Sequence, residues 1–345
     1  RYLAEPAFFR LEIQKQLRKN SVLTVLVDEV QKLPALLDEV HNLIETHKGS
    51  IRFLLTGSSA RKLLRGGANL LAGRAHTYHL HSLTSEEVDL DLARALRIGT
   101  LPSVYLEDED PIESLTAYVD TYLKEEVLQE SLVRKSENFI RFLVVAAQSN
   151  GEPVNYSKIG KDCGVSGKTV EDYLSILVDT LVAFRIDSWG TSVRKQLRQS
   201  PKYYFFDCGV LNAITGELHA PLRPSTYRYG KVFETFLITE IIRLNDYHRT
   251  RYNLSYWRTN TGMEVDLVLS QGRSERPIAV EIKSRPNPEE SDLRGLLSFS
   301  SENKRAQLVC LCTTPESYDI GNVAVLPWQD GLRMLFKKAK TKTLR

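Results

Sequence analysis

Two stretches near the C-terminus decide how this chain is read: Gly262-Met263-Glu264-Val265-Asp266-Leu267-Val268-Leu269 and Ile278-Ala279-Val280-Glu281-Ile282-Lys283-Ser284. Each is a short run rich in Val, Ile and Leu, the pattern of a buried strand. Side chains alternate across a strand, so Glu281 and Lys283 share one face while Val280 and Ile282 share the other. By the same rule Glu264 and Asp266 share a face opposite Val265 and Leu267. A turn near Gln271-Gly272-Arg273 would pair the two as a hairpin and bring Asp266 to Glu281, with Lys283 beside them. Two carboxylates and a lysine suit a hard divalent cation such as Mg²⁺, which favours oxygen ligands and keeps several waters. The expected ligands are Asp266 and Glu281. Such an ion lowers the pKa of a bound water and stabilises charge on a phosphate. The lysine orients the water or neutralises the developing charge.

Upstream, Gly230-Lys231-Val232-Phe233-Glu234 opens a long helix predicted over about 227–245. The order of a helix Glu, an Asp and a Glu-x-Lys resembles the PD-(D/E)xK nuclease superfamily. Val265 stands where that family has Pro, as it does in divergent members. The resemblance implies a restriction-endonuclease-like α/β domain over 201–336. It also implies a catalytic set of Glu234, Asp266, Glu281 and Lys283. Some branches keep this fold without cutting, so fold and cleavage are separate expectations.

The middle of the chain reads as helical. Phe139–Ala147 is a helix, Tyr156–Asp162 a short second one, and Cys163-Gly164-Val165 a turn. Ser166 is placed to cap a third helix over 167–181, and Val182–Trp189 reads as a wing strand. This is helix-turn-helix spacing within a helical linker and winged helix over 111–200. Lys168, Thr169, Arg194, Lys195 and Arg198 are the expected DNA contacts, with Lys202 adding charge. Glu171 and Asp172 on the same helix oppose phosphate contact, and a protein-packing spacer is the alternative.

At the N-terminus, helix and strand alternate, the signature of a parallel sheet covered by helices. Val22–Val27 and Ile51–Leu55 are the apolar strands. Asp28-Glu29 follows the first, where the carboxyl end of a buried parallel strand projects into the ligand crevice. In P-loop ATPases the Asp helps hold Mg²⁺ and the Glu polarises the attacking water. Thr56 and Ser58 end the second strand where a γ-phosphate sensor would sit, and Arg74 is placed as an arginine finger.

Taken in order, VLVDEVQKLP (25–34), FLLTGSS (53–59), LLAGR (70–74) and GTLP (99–102) resemble a large bacterial and archaeal group of predicted AAA+ ATPases. The C-terminal half of that group is a winged-helix region followed by an endonuclease-like region. The resemblance covers most of the chain and implies an ATPase domain over 1–110. The phosphate loop G-x-x-x-x-G-K-[ST] does not occur before Asp28. The run Gly164-Val165-Ser166-Gly167-Lys168-Thr169 is no substitute, because position 162 is Asp and the preceding segment is not a strand. The chain opens on Arg1, and its first methionine is Met263. The loop is therefore expected upstream, with ATP bound only by a longer parent. A naturally truncated parent is the alternative.

Composition sets the outer limits. The 345 residues are 42% hydrophobic and 26% charged, enough apolar material for real cores. The net charge of +3 is too small to imply nucleic acid by itself. The four cysteines form no C-x-x-C pair, which points to a reducing, cytoplasmic setting without disulfides. His76, His79 and His81 read as a strand with exposed imidazoles, since no carboxylate at ligand spacing completes a metal site. A basic tail closes the chain over 337–345.

The expected architecture is an α/β protein: a partial P-loop NTPase parallel sheet, a winged-helix middle and a restriction-endonuclease-like end. The expected function is a Mg²⁺-dependent, DNA-acting phosphodiesterase coupled in the parent to ATP hydrolysis. A non-catalytic NTP-dependent switch with a relic nuclease fold is the alternative. DNA and a homo-oligomer through the ATPase domain are the expected partners. No stretch is long enough for a membrane span.

Overall fold

The structure, a computed structural model, describes residues 1–57, 75–123, 136–190, 199–272 and 276–337. Helix α1 (Ala7–Leu17), strand β1 (Leu23–Val27), helix α2 (Leu36–Thr46) and strand β2 (Ile51–Leu55) form the N-terminal unit. β1 and β2 pair parallel, in register from Leu23–Ile51 to Val27–Leu55. Val25, Val27, Phe53 and Leu55 pack on a core of Phe9, Ile13, Leu37, Val40 and Leu43. The apolar runs were expected to be buried strands. Among the described residues only one face is covered, and Leu26 and Leu54 on the other are 65% and 52% exposed.

Helices α3 (Leu92–Ile98), α4 (Pro102–Tyr105) and α5 (Pro111–Ala117) follow. Residues 75–81 are irregular, where a strand was expected. Imidazoles spaced by one and two residues do not define a strand without a neighbour to pair with. Leu83, Ala95, Leu96 and Tyr105 pack against the C-terminal half of the chain, not against β1 and β2. The GTLP run is the joint. Gly99 turns with φ 73°, and the next N–H, of Thr100, donates to the buried Asp207 carboxylate at 2.7 Å. A Cβ at Gly99 would overlap that carboxylate, so glycine is required there for space as well as for conformation.

Helices α6 (Ser136–Gln148), α7 (Tyr156–Cys163) and α8 (Gly167–Asp179) pack around Phe142, Ile159, Val170, Leu174 and Leu177. Gly164 ends α7 in the left-handed conformation, and the Ser166 hydroxyl accepts from Thr169 N–H to open α8. Strands β3 (Ala183–Ser188) and β4 (Lys202–Phe205) then pair antiparallel.

Past helix α9 (Cys208–Ile214) comes the long helix α10 (Tyr227–Tyr247), then strands β5 (Asn253–Arg258), β6 (Glu264–Ser270) and β7 (Ile278–Lys283). Helix α11 (Arg294–Glu302), strands β8 (Gln307–Cys312), β9 (Tyr318–Ile320) and β10 (Val323–Pro327), and helix α12 (Trp328–Phe336) complete the chain. Apart from the β1–β2 pair, the strands among the described residues form one sheet, ordered β4-β3-β5-β6-β7-β8-β10-β9. β3 joins it through parallel pairs of Asp187 and Ser188 with Ser255 and Tyr256. Helices α10 and α12 cover one face, with Phe236, Ile241, Leu267, Val280, Ile282, Val309 and Trp328 between them. Helix α11 covers the other, its Leu296 and Phe299 packed with Val265, Val268, Ala279 and Cys310.

The β6–β7 hairpin is antiparallel, as expected, and its register ends at the Leu267–Val280 pair. Strict alternation does not hold along β6. Its pairing with β5 slips by one residue between Ser255–Val268 and Trp257–Val265, so Asp266 and Leu267 together oppose Tyr256. Val265 and Leu267, expected on one face, therefore enter opposite cores. Such bulges re-aim a side chain and are common beside active sites.

Candidate active site at the β6–β7 fork

Beyond Leu267–Val280 the two strands part, and the Asp266 carboxylate enters the gap. Its Oδ2 accepts from the Ile282 N–H at 2.7 Å, replacing a ladder bond. Glu281 and Lys283 lie on the α11 side of β7, in register with Cys310 and Cys312 of β8. Lys283 Nζ donates to Glu281 Oε1 at 2.6 Å, while the buried Glu281 Oε2 has no hydrogen-bond partner. Glu234 comes from α10 and accepts from the Tyr204 hydroxyl at 2.7 Å.

Burial first, and then the charge of Asp266, raises Glu281 well above the usual carboxylate range. The same two causes raise Glu234, against the pull of Lys202 and Lys231. Burial opposes the charge of Lys283, but Glu281 and Asp266 outweigh it and push its pKa up. Lys283 is thus held as an ammonium: it can donate and neutralise, and it is no general base.

Glu234, Asp266, Glu281 and Lys283 thus lie near enough for their charges to act on one another. The three carboxylates do not offer one oxygen each within 4.8 Å of one another. Like charges in a poorly solvated site separate, and here each has turned to its own donor. An orphaned buried carboxylate oxygen and two carboxylates raised by a third fit a divalent cation, because a cation relieves both costs.

Several neighbours escaped the sequence reading. Lys202, expected to add charge toward DNA, is 1% exposed and pairs with Glu264. It cannot reach a phosphate at the surface, because its ammonium is buried and held by Glu264. Glu234, Glu264 and Asp266 hold it charged despite burial. Lys231 pairs with Glu152 and sits 3.8 Å from Glu234, one helical turn away. A lone lysine directly before the aromatic run Tyr203–Phe206 and an i,i+3 Lys-Glu spacing on α10 were the available signals.

The N-terminal candidates also meet. Asp28 and Thr56 follow paired strand ends, and the Thr56 hydroxyl donates to the Asp28 carboxylate. The Glu29 N–H donates to Thr56 Oγ1 at 3.0 Å. Glu29 itself accepts from the Gln31 side chain at 2.7 Å. Ser58 and Arg74 lie outside the described residues. So do Arg194, Lys195 and Arg198 of the expected DNA surface. Lys168 is exposed at the start of α8, but its ammonium is 3.0 Å from Glu171 and 3.4 Å from Asp172. The Thr169 hydroxyl lies 2.8 Å from Ser166 Oγ.

No helix among the described residues is long and apolar enough to cross a membrane. Residues 2–89 match the family described as AAA domain. Residues 89–219 and 229–330 match two domains of unknown function, DUF8612 and DUF4143. Two mycobacterial proteins are similar, both described as uncharacterized: Mb2031c of Mycobacterium bovis and Rv2008c of Mycobacterium tuberculosis. Each is 27% identical over 267 residues, which is 76% of this chain and 59% of the relative. The chain thus spans about 59% of the length of these relatives. No solved structure matches. The matches to the AAA domain and to DUF4143 together support an ATPase-like family.

Proposed function

We propose that the C-terminal half is a Mg²⁺-dependent phosphodiesterase domain acting on DNA, joined to an ATPase-like N-terminal unit through a winged-helix middle. One observation carries the reading: three carboxylates from α10, β6 and β7 lie with a lysine, whose charge they favour, where a strand pair opens. Asp266 and Glu281 would hold the ion, with Glu234 facing them. A bound divalent ion supplies a more acidic water and charge stabilisation on the phosphate.

The chain's own residues do the rest. Lys283 exchanges its bond to Glu281 for one to a phosphate oxygen or the attacking water, and neutralises charge as it develops. Tyr204 fixes the Glu234 carboxylate. Lys202 balances the charge of the cluster, without access to substrate. In the N-terminal unit, the Asp28–Thr56 contact at paired strand ends supports Mg²⁺–nucleotide chemistry in a protein that also carries a phosphate loop.

The test is nicking of supercoiled DNA in Mg²⁺ or Mn²⁺, read beside thermal stability. The wild type should cut and should melt higher with metal. Lys283→Ala should lose cutting and keep the metal shift, whereas Asp266→Asn should lose both. A metal shift without cutting would favour the non-catalytic switch. No shift in the wild type would overturn the metal site itself.

A further inference from the structure

From the arrangement of His79, His81 and Asp246 we infer a second metal site, for a divalent transition ion of the Zn²⁺ class, away from the β6–β7 fork. One ligand atom from each of these residues lies within 4.8 Å of the others. His79 Nδ1 is 3.0 Å and His81 Nε2 is 2.9 Å from the same atom, Asp246 Oδ2. In a tetrahedral Zn²⁺ site with bonds of about 2.0–2.1 Å, neighbouring ligand atoms stand about 3.3 Å apart. Opening the present cluster to that spacing takes small side-chain movements.

The surroundings suit a ligand set. The His81 ring is 5% exposed and set between Tyr247 and Phe184, with centroids 5.5 and 5.9 Å away. Its backbone N–H donates to the Tyr247 hydroxyl at 2.9 Å. Burial, with help from Arg243 and His79, lowers its pKa despite Asp246, the direction that favours the ligating neutral form. His79 and Asp246 are 43% and 40% exposed, leaving a solvent side for a water ligand. Asp246 lies in the last turn of α10, where the helix dipole also favours a cation. Two imidazoles select a transition ion over Mg²⁺ or Ca²⁺.

The ion would act as a clip. His79 and His81 belong to the segment matched by the AAA domain, and Asp246 to the segment matched by DUF4143. Around it, Arg249 stacks on Tyr78, His248 pairs with Glu86, and Glu240 accepts from Ser85. The metal would close the exposed end of this seam, on the helix that carries Glu234.

The test uses the full chain, stripped of metal. Zn²⁺ is titrated against a chromophoric chelator, and Co²⁺ absorption reports coordination. One ion per chain should bind with a tetrahedral Co²⁺ spectrum. Affinity should fall at least about tenfold in His79→Gln and in Asp246→Asn, and stay unchanged in Asp266→Asn. Both His79 and Asp246 are substantially exposed, so these variants should fold. Zn²⁺ should also slow proteolysis at 75–80 in the wild type and not in the variants. Absence of stoichiometric binding, or equal binding in wild type and variants, would overturn the site and leave a plain His–Asp hydrogen-bond cluster.

Discussion

The backbone N–H of Ile282 donates to Oδ2 of Asp266, so a side chain completes the β6–β7 ladder at the point where the strands part. The carboxylate has two tasks, one structural and one electrostatic. An amide keeps an acceptor oxygen but not the charge. Asp266→Asn should therefore melt close to the wild type without metal and lose the Mn²⁺-induced rise. Asp266→Ala should cost about 1–3 kcal/mol, from a partly buried N–H without an acceptor. Calorimetry of both variants separates the tasks, and equal destabilisation by Asn and Ala would contradict this.

The metal response should depend on pH with a definite sign. Glu281 and Glu234 have folded pKa values raised first by burial and then by Asp266. The native state therefore binds protons more tightly than the unfolded chain. The contribution of these groups is most favourable below about pH 4.3 and declines as pH rises through the raised values. A divalent cation competes with those protons. Its melting shift should be near zero at about pH 4 and grow toward neutrality. Scanning calorimetry with and without Mn²⁺ checks this, and a pH-independent shift would count against the site.

Lys202 tests the charge balance around the fork. It is buried against Glu264, with Glu234 and Asp266 nearby. Lys202→Met removes the cation and leaves carboxylates behind, which should cost about 3–5 kcal/mol. Mn²⁺ should restore more stability to this variant than to the wild type, since it supplies the missing positive charge. Denaturant melts with and without metal measure both effects.

Gly99 tests the joint. A side chain there meets the Asp207 carboxylate, which also accepts from the N–H groups of Thr100, Gly209 and Val210. Gly99→Ala should lower stability by about 3 kcal/mol or more through strain and a displaced buried carboxylate. Faster hydrogen exchange at Thr100 would locate the damage.

Lys168 bears on DNA. Its ammonium is already paired with Glu171 and Asp172. If those pairs persist on DNA, Lys168→Ala should leave the salt dependence of duplex binding unchanged. A true phosphate contact would reduce the slope by about 0.9. Fluorescence anisotropy across a salt series distinguishes the two.

Much of the fold was legible locally. The hairpin of β6 and β7, the span of α10, the Ser166 cap and the Gly164 turn follow from short-range rules of periodicity and capping. Other features depended on partners far along the chain. Nothing near Lys202 announces that its ammonium pairs with Glu264, and nothing near His79 announces Asp246, 167 positions later.

The order of residues sets the chemistry available: Glu234, Asp266, Glu281 and Lys283 in type and order, and Asp28 and Thr56 just past two apolar strands. What those groups face depends on how the chain packs. The one-residue slip between β5 and β6 breaks the alternation that local pattern imposes, and aims Asp266 into the fork. Burial and neighbouring charge, not residue type, then raise Glu281 and Glu234 and hold Lys283 as a cation. The physical reason is range. Periodicity and capping act over a few residues, whereas desolvation and Coulomb interactions depend on which distant segments the packed core brings together.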